Sequence, residues 1–333
     1  MSTKMRIIAG VGSPVMDLSA NVTDEFIETH DEVKSGIELV DDDGMLKLLD
    51  KVEGTLKSTA GGSAANTLFA LARLGAACGF IGKLGKDDSG REYIKQFEKF
   101  GGNTKGFKYC EVGSTARCLS LVTPDFERTM RTCLGAAANL KPDEIQISDF
   151  EGYDCVHIEG YLLFNQELAL AVLKNAKAAG CTISLDLGSF EIVKAYHSEL
   201  KTLLNDYVDI VFANEDEAFA FSGTEDPQKA LEDLSRYCEI AVVKLGAEGA
   251  LIKDSETHEE IAVIPVTDVV DTTGAGDYWA AGFLYGYIND YPLSVCGQMG
   301  SILGAEVVQQ LGADLPDDRW EAVVEQFEKI VKN

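Results

Sequence analysis

Short, continuously apolar runs alternate with helix-like segments along most of this 333-residue chain. Each run ends in a glycine or a polar residue just before the next segment begins. The runs are RIIAGVG, CGFIGKLG, YDCVHIEG, CTISLDLG, VDIVFAN and EIAVVKLG. Runs that are apolar on both faces and rich in β-branched residues are typical of parallel strands covered by helices on both sides. The pattern predicts an α/β fold: a three-layer, doubly wound α/β/α arrangement with a mostly parallel sheet.

Three segments break this alternation, at about 14–22, 54–61 and 104–134. They have alternating polarity and turn signals, which favour β-hairpins over helices. Because they interrupt the strand–helix units, we expect them to form a small β-sheet lid over the ends of the main strands. No Pro-, Gly- or Ser-rich linker divides the chain, so we expect a single domain over 1–333 that includes this lid.

The overall charge and composition exclude several classes of function. The formal net charge is −26, which argues against nucleic acid as a partner because phosphate contacts need clustered Lys and Arg. No apolar run reaches the roughly 18 residues of a membrane helix, so no membrane partner is expected. The eight cysteines contain no CxxC pair, as expected for free thiols in a reducing compartment. We therefore expect a cytoplasmic protein.

The stretch DTTGAGD, residues 271–277, has two readings. Successive Gly-Ala-Gly peptides at a helix start can point their N–H groups at an anion. Asp277 would then be a base beside a phosphate site, or it would simply be the N-cap of the next helix. Asp271 would hold the turn, or it would orient a cation or metal.

A second glycine-containing stretch, GGSAAN at 61–66, lets the backbone approach a ligand closely. Ser63 and Asn66 offer hydrogen bonds there, although a plain strand-to-helix turn explains the residues equally well. The stretch is not a full GxGxxG fingerprint, and the chain has no GxxxxGK[ST] motif. These absences disfavour an NAD-dependent oxidoreductase and exclude a P-loop kinase.

Further polar residues follow predicted strands. Asp17 comes just after the first strand, where it is suited to bind paired hydroxyls or to serve as a turn residue. Asn214 and Glu217 in NEDE are spaced to hold a hydrated Mg²⁺ or merely to start a helix. KLGAEGA fits a nucleotide-binding turn or a plain hairpin. Ligands in doubly wound sheets bind at the carboxyl ends of the strands, so the convergence of these candidates at such ends predicts one site.

Four of these segments resemble motifs of one family. DTTGAGDYWAAGFL and AGGSAANTLFALARLGA are similar to the two signatures of the ribokinase/PfkB carbohydrate and nucleoside kinases. NEDEA resembles the family's metal motif, and VKLGAEGA its nucleotide-binding turn. Within the family, GSPVMDLSANVTDEF and PDFERTMRTCLGAAANL resemble adenosine kinases and their bacterial relatives. The resemblance implies ATP-dependent transfer of the γ-phosphoryl to an alcohol, with a β-sheet lid over the core.

The resemblance also implies roles for individual residues. For catalysis these are the base Asp277, the anion hole of Gly274, Ala275 and Gly276, and Arg128, which would reach the phosphates from the lid. For the substrate they are Asp17, Ser13, Gly62, Ser63, Asn66 and Glu159. For ATP they are Asn214, Glu217, Lys244, Gly246, Gly249 and Thr272. For metals they are Glu217, which would bind Mg²⁺ through water, and Asp271 with Thr273, which would hold a monovalent cation such as K⁺.

Several alternatives stay open at this point. The acceptor is a small molecule, either a nucleoside such as adenosine or a ribose- or fructose-like sugar. Ser13 stands where adenosine kinases commonly have asparagine, so the resemblance supports ribose binding more strongly than purine recognition. A protein that senses a nucleotide or sugar without turnover would keep the same fold. The chain would act as a monomer or as a homodimer.

Overall fold

A computed structural model describes residues 6–30, 34–54, 56–125 and 127–332. The strands are, in chain order, β1 (Ile8–Val11), β2 (Val15–Asn21), β3 (Gly36–Leu39), β4 (Lys57–Gly61), β5 (Cys78–Gly85), β6 (Phe107–Cys110), β7 (Ala116–Val122), β8 (Arg128–Cys133), β9 (Cys155–Glu159), β10 (Thr182–Asp186), β11 (Ile210–Asn214), β12 (Ile240–Lys244), β13 (Ala250–Lys253) and β14 (His258–Ile261). The α-helices are α1 (Asp24–His30), α2 (Asp42–Lys51), α3 (Ser63–Arg73), α4 (Asp88–Lys99), α5 (Gln166–Ala178), α6 (Phe190–Ala195), α7 (His197–Tyr207), α8 (Glu215–Ser222), α9 (Pro227–Leu234), α10 (Ala275–Ile288), α11 (Leu293–Val307) and α12 (Asp317–Lys332).

The central sheet has nine strands in the order β14-β13-β12-β11-β10-β9-β1-β5-β6. The strands from β12 to β6 are parallel, and β13 and β14 extend the sheet as antiparallel neighbours. Strand order reverses beside β1, as in other doubly wound sheets. The predicted fold class is confirmed.

Apolar side chains on both faces of this sheet are buried, which explains why its strands are continuously apolar. Phe80, Phe212 and Phe283 belong to a core on one face, where α3, α10 and α11 pack. Val156 and Val211 belong to a second core on the other face, under α5 and α8. Because successive strand residues point to opposite faces, each strand supplies both cores. The result is the predicted three-layer arrangement.

A separate five-stranded sheet, here called the small sheet, has the order β3-β8-β7-β2-β4. One of its faces packs Leu18, Leu119 and Leu121 against Ile27 of α1 and Met45 of α2. The other face is polar: Asp17 of β2 lies opposite Cys118 of β7 and Thr59 of β4. A sheet with one apolar and one polar face is typical of antiparallel and mixed β-layers that cover a core on one side only.

The small sheet differs in two ways from the predicted lid segments. Residues 107–110 of the predicted segment 104–134 form β6, which pairs in parallel with β5 in the central sheet. This assignment corrects the prediction, since α4 connects β5 to β6 as an ordinary strand–helix–strand unit. The edge strand β3 was not predicted, because four residues in an acidic stretch carry little periodic signal. In the described part of the chain, no helix is long and apolar enough to cross a membrane.

Candidate active site

Four neighbouring strands of the central sheet end in polar residues at one edge. Glu159, Asp186, Asn214 and Lys244 are the last residues of β9, β10, β11 and β12. Asp186 lies in register with Glu159, and Asn214 with Lys244. Because the strands are parallel, their carboxyl ends meet at the same edge. The N-termini of α3, α8 and α10 lie against this edge and complete the candidate site.

The stretch DTTGAGD turns into α10 through a left-handed glycine. Gly274 has φ of 75°, and the helix begins at Ala275. Asp277 is therefore the third helical residue, so reading it as an N-cap is wrong. Among the residues that the structure describes, no side chain caps this helix start. The Ala275 N–H donates to the Thr272 carbonyl oxygen at 3.1 Å. The N–H groups of the next two residues have no intrahelical acceptor, and this leaves them available to an anion.

The Asp277 carboxylate is bound by two side chains of α3. Ser63 Oγ donates to its Oδ1 at 2.9 Å, and Asn66 Nδ2 donates to its Oδ2 at 2.9 Å. Burial raises the pKa of Asp277 to about 7; the Asn66 hydrogen bond opposes this shift and the Asp186 charge adds to it. Two motifs 211 residues apart in sequence thus meet around one carboxylate.

The glycines of GGSAAN allow close backbone approach on the side of the small sheet. Gly62 has φ of 108°, and a Cβ there would overlap the Ser13 carbonyl oxygen. A Cβ on Gly61 would overlap the Asp17 carboxylate and lie 3.3 Å from Asn66 Oδ1. Asn66 therefore lies between Asp277 and Asp17. The Asp17 side chain is exposed at the small sheet, and desolvation by the surrounding protein raises its pKa to about 7 while the Arg128 charge opposes the shift.

Glu159 has a positioning role instead of the predicted substrate contact. Its side chain is buried, and its two oxygens accept hydrogen bonds from the N–H groups of Ser13, at 2.8 Å, and Ala64, at 3.1 Å. Burial raises the pKa of Glu159, and these two amides oppose the shift. A carboxylate already bonded to two amides and closed off from the cleft fixes the β1–β2 turn and the start of α3.

Lys244 and Asp186 form an ion pair at the centre of the sheet edge. Lys244 Nζ lies 2.7 Å from Asp186 Oδ2, and both side chains are about one-tenth exposed, at 11% and 8%. Burial lowers the pKa of Lys244, but the Asp186 and Glu217 carboxylates outweigh it and raise the value. The ammonium also lies 3.0 Å from the position of a Cβ on Gly276. Lys244 therefore places a positive charge beside Gly276, at the start of α10.

Asp186 was not predicted as a site residue. The sequence did carry a signal, because this aspartate ends an apolar strand in the run CTISLDLG, as the other candidates end theirs. Its pairing with Lys244, 58 residues away, depends on strand order. The sequence around Asp186 and the sequence around Lys244 do not predict that strand order.

Asn214 and Glu217 form a reciprocal capping box at the start of α8. Asn214 Oδ1 accepts from the Glu217 N–H at 2.9 Å, and Glu217 Oε2 accepts from the Asn214 N–H at 2.8 Å. Glu217 Oε1 also accepts from Asn214 Nδ2 at 2.9 Å. Burial and the Asp186 charge raise the pKa of Glu217 to about 7. Both residues nevertheless line the same cavity as Asp277.

Arg128 binds the DTTGAGD loop from the small sheet. Its guanidinium donates to both Asp271 oxygens, at 2.6 and 3.0 Å, and to Thr273 Oγ1 at 2.7 Å. Although burial alone would raise the pKa of Asp271, amide hydrogen bonds from Thr273 and Gly312, with the Arg128 contact, hold it below its ordinary value. This geometry supports neither the predicted phosphate contact of Arg128 nor a cation between Asp271 and Thr273.

A cavity of about 930 Å³ runs along the sheet edge from Asp277. Its polar end contains Ser63, Asp186, Glu217, Lys244 and Asp277, and its other end is walled by apolar residues. The predicted ATP-binding residues Gly246, Gly249 and Thr272 also line it, with Val263, Ile264, Val266, Val269 and Val308. The KLGAEGA segment itself is a hairpin turn between β12 and β13.

The sequence matches a known family over most of its length. The family of pfkB carbohydrate kinases matches residues 28–320. The chain belongs to the pfkB family. It is a kinase that transfers a phosphoryl group from ATP to a hydroxyl group of a sugar or nucleoside. The predictions of family, fold and reaction type are confirmed.

The relatives of this pfkB kinase include a sugar kinase and adenosine kinases. It is 33% identical over 245 residues to an uncharacterized sugar kinase of Archaeoglobus fulgidus, covering 73% of this chain and 96% of the relative. It is 26% identical over 335 residues to adenosine kinase 2 of Arabidopsis thaliana, covering 93% and 96%. The crystal structure of adenosine kinase from Sinorhizobium meliloti superposes with a TM-score of 0.84 at 31% identity, covering 97% of this chain and 100% of that one.

The acidic residues of this pfkB kinase suit a hydrated Mg²⁺. In the described part of the chain, no group of three or more His, Cys, Asp or Glu side chains is arranged to ligate a metal directly. Burial, with a smaller contribution from the Asp186 charge, raises the pKa values of Glu217 and Asp277, so three carboxyl groups lie close together in this cavity. Mg²⁺ usually keeps several waters and binds through few carboxylates and substrate phosphates. The donor set fits such a water-mediated ion.

Proposed function

We propose that Asp277 is the general base of an adenosine-kinase-like reaction, in which ATP phosphorylates the primary hydroxyl of a nucleoside. The supporting observation is the placement of its carboxylate. The group is bound by Ser63 and Asn66, faces a large cavity, and adjoins a helix start without a side-chain cap in the described structure. A carboxylate with a pKa near the working pH is suited to accept a hydroxyl proton.

In the proposed reaction, the acceptor oxygen attacks the γ-phosphorus while its proton moves to the Asp277 carboxylate and ADP leaves. The N–H groups at the start of α10 stabilise negative charge on the transferred phosphoryl group. Lys244, beside Gly276, adds a positive charge at the same place. Bound Mg²⁺ supplies further charge neutralisation for the β- and γ-phosphates, and Glu217 and Asp186 would hold it through water.

The two sides of the cleft suit different substrates. Asn66 bonds Asp277, and Asp17 lies near Asn66 on the side of the small sheet, so these polar groups would bind the further hydroxyls of an acceptor whose primary hydroxyl meets Asp277. The apolar wall of Val263, Ile264 and Val266 at the opposite end suits the adenine of ATP. The small sheet would then act as the lid that excludes water during transfer.

The nucleoside acceptor is favoured by the likeness to the Sinorhizobium meliloti adenosine kinase over nearly the whole of both chains. The Archaeoglobus fulgidus sugar kinase favours the second candidate, a ribose- or fructose-type acceptor. Ser13 bears on this choice, because it occupies the turn that faces Gly62 on the acceptor side.

A panel of acceptors tests the proposal directly. ADP formation from ATP is measured with adenosine, inosine, ribose and fructose side by side, with and without Mg²⁺. We expect the highest kcat/KM with adenosine and no turnover without a divalent cation. A higher kcat/KM with ribose or fructose would replace the nucleoside with the sugar candidate. Binding of these compounds without any ADP formation would contradict catalysis itself.

A further inference from the structure

The carboxylate of Asp271 has every acceptor position filled. Oδ1 accepts from Arg128 Nη2 at 2.6 Å and from the Thr273 N–H at 3.0 Å. Oδ2 accepts from Arg128 Nη1 at 3.0 Å and from the Gly312 N–H at 2.8 Å. A carboxylate has about four lone-pair sites. These four donors therefore leave no free lone pair for a cation.

The hydroxyl of Thr273 is occupied in the same way. Its Oγ1 accepts from Arg128 Nη1 at 3.2 Å and from Nη2 at 2.7 Å, and a hydroxyl oxygen has two lone pairs. The two side chains that the family resemblance assigns to a monovalent cation thus both face the guanidinium. A second positive charge at this position would be repelled by Arg128. The residues of this chain do not fit K⁺.

We propose that the Arg128 guanidinium takes the place of a monovalent cation at the DTTGAGD loop, so that this kinase works without K⁺. The inference rests on the proposed function, in which residues 271–277 bind the transferred phosphoryl group. Guanidinium and K⁺ carry the same charge, and guanidinium is permanently ionised. The pair with Asp271 is largely shielded from solvent, with the side chains 19% and 7% exposed.

With Arg128 in place of K⁺, neutralisation of Asp271 in the DTTGAGD loop depends on the position of the small sheet. Arg128 is the first residue of β8, and 143 residues separate it from Asp271. A free ion would neutralise the Asp271 carboxylate regardless of where the small sheet lies. A side-chain cation does so only when β8 is next to the loop. Removing the guanidinium should therefore leave an unpaired carboxylate that K⁺ can neutralise.

The experiment compares the wild-type enzyme with Arg128→Ala and Arg128→Lys. ADP formation with the best acceptor of the panel is measured while KCl replaces choline chloride at constant ionic strength. We expect the wild-type and Arg128→Lys rates to change by less than about twofold, because each retains a tethered cation. Arg128→Ala should be slower in choline chloride and about fivefold or more faster in KCl, the scale of ordinary coupling between two sites. Its thermal unfolding midpoint should rise with K⁺, whereas that of the wild type should not.

Arg117→Ala is the matched control, since Arg117 lies on the neighbouring strand and pairs with Asp87 away from the loop. It should show no response to K⁺. Strong stimulation of the wild type by K⁺ would overturn the inference, and so would an Arg128→Ala variant whose rate and unfolding midpoint ignore K⁺. The two proposals fail separately: near-normal turnover by Asp277→Asn contradicts the base but does not change the K⁺ response expected of the wild type.

Discussion

The N-termini of α8 and α10 each present a carboxylate, Glu217 or Asp277, to the same cavity. In both cases the carboxylate belongs to the third residue of the helix, and burial raises its pKa to about 7. Charge, position and proton affinity therefore do not distinguish the two. Their hydrogen bonds do.

The Glu217 carboxylate is part of its own helix start. It accepts from the Asn214 backbone N–H and side-chain amide, while Asn214 caps the helix in return. The Asp277 carboxylate takes no part in capping α10 and is bound by Ser63 and Asn66 of another helix. In α8 the side chains of the helix start bond its own N–H groups, whereas in α10 the N–H groups that follow Ala275 are left to a ligand. Because both residues have a raised pKa, the proposal that Asp277 is the base rests on the surrounding geometry.

The largest expected effect comes from converting each carboxylate to its amide. Asp277→Asn should fold normally and lose about three or more orders of magnitude in kcat, the scale of a lost base in a positioned site. Glu217→Gln keeps an acceptor oxygen for the capping box, so we expect a loss of about tenfold or less in kcat with a higher requirement for Mg²⁺. Steady-state rates over a range of Mg²⁺ concentrations measure both.

Equal losses in the two variants would remove the distinction between the helix termini. An Asp277→Asn enzyme with near-wild-type turnover would contradict the proposed base. Circular dichroism and gel filtration of both variants serve as the control for folding.

A smaller effect concerns stability. Here we expect the substitution at the start of α8 to cost more than the substitution at the start of α10. Asn214→Ala removes the N-cap of α8, which should lower the free energy of unfolding by about 1 kcal/mol. Asp277→Asn should not lower it at pH 8. The folded-state pKa of Asp277 is raised above its unfolded value, so the stability that this group contributes is present at low pH and lost as the pH rises through about 7.

Denaturant unfolding at pH 5 and pH 8 measures both variants against the wild type. A stable Asn214→Ala variant would show that the capping box adds little. A clear loss of stability in Asp277→Asn at pH 8 would show that the ionised carboxylate is needed by the fold.

The sequence was sufficient for the layers and for much of the site. Continuous apolar runs required a sheet buried on both faces, and the ends of those runs located Asn214 and Lys244 at its carboxyl edge. Asp277 became a candidate because Gly-Ala-Gly at a helix start suits an anion, and the family resemblance then implied that it is the base. The bond between Asp277 and Asn66 was not readable, since it depends on how α3 and α10 pack.

Two contacts that the sequence did not predict have the same origin in long-range packing. Glu159 looked like a sugar ligand at a strand end, but its neighbours Ser13 and Ala64 bring amides to both of its oxygens. The family resemblance implied that Arg128 reaches the phosphates from the lid, and in the structure β8 lies against the DTTGAGD loop and pairs Arg128 with Asp271. In each case the residue type was informative and its partner was decided by the fold.

The pH dependence of phosphoryl transfer in Glu217→Gln tests the central claim most directly, because Glu217 and Asp277 both have a pKa of about 7. Single-turnover rates are measured from pH 5.5 to 8.5 with ATP kept saturating as its magnesium complex. If Asp277 is the base, the rate rises with pH through about 7 in the wild type and in Glu217→Gln alike, because Asp277 must lose its proton to accept another. Loss of this rise in Glu217→Gln would assign the titration to Glu217 and contradict the account.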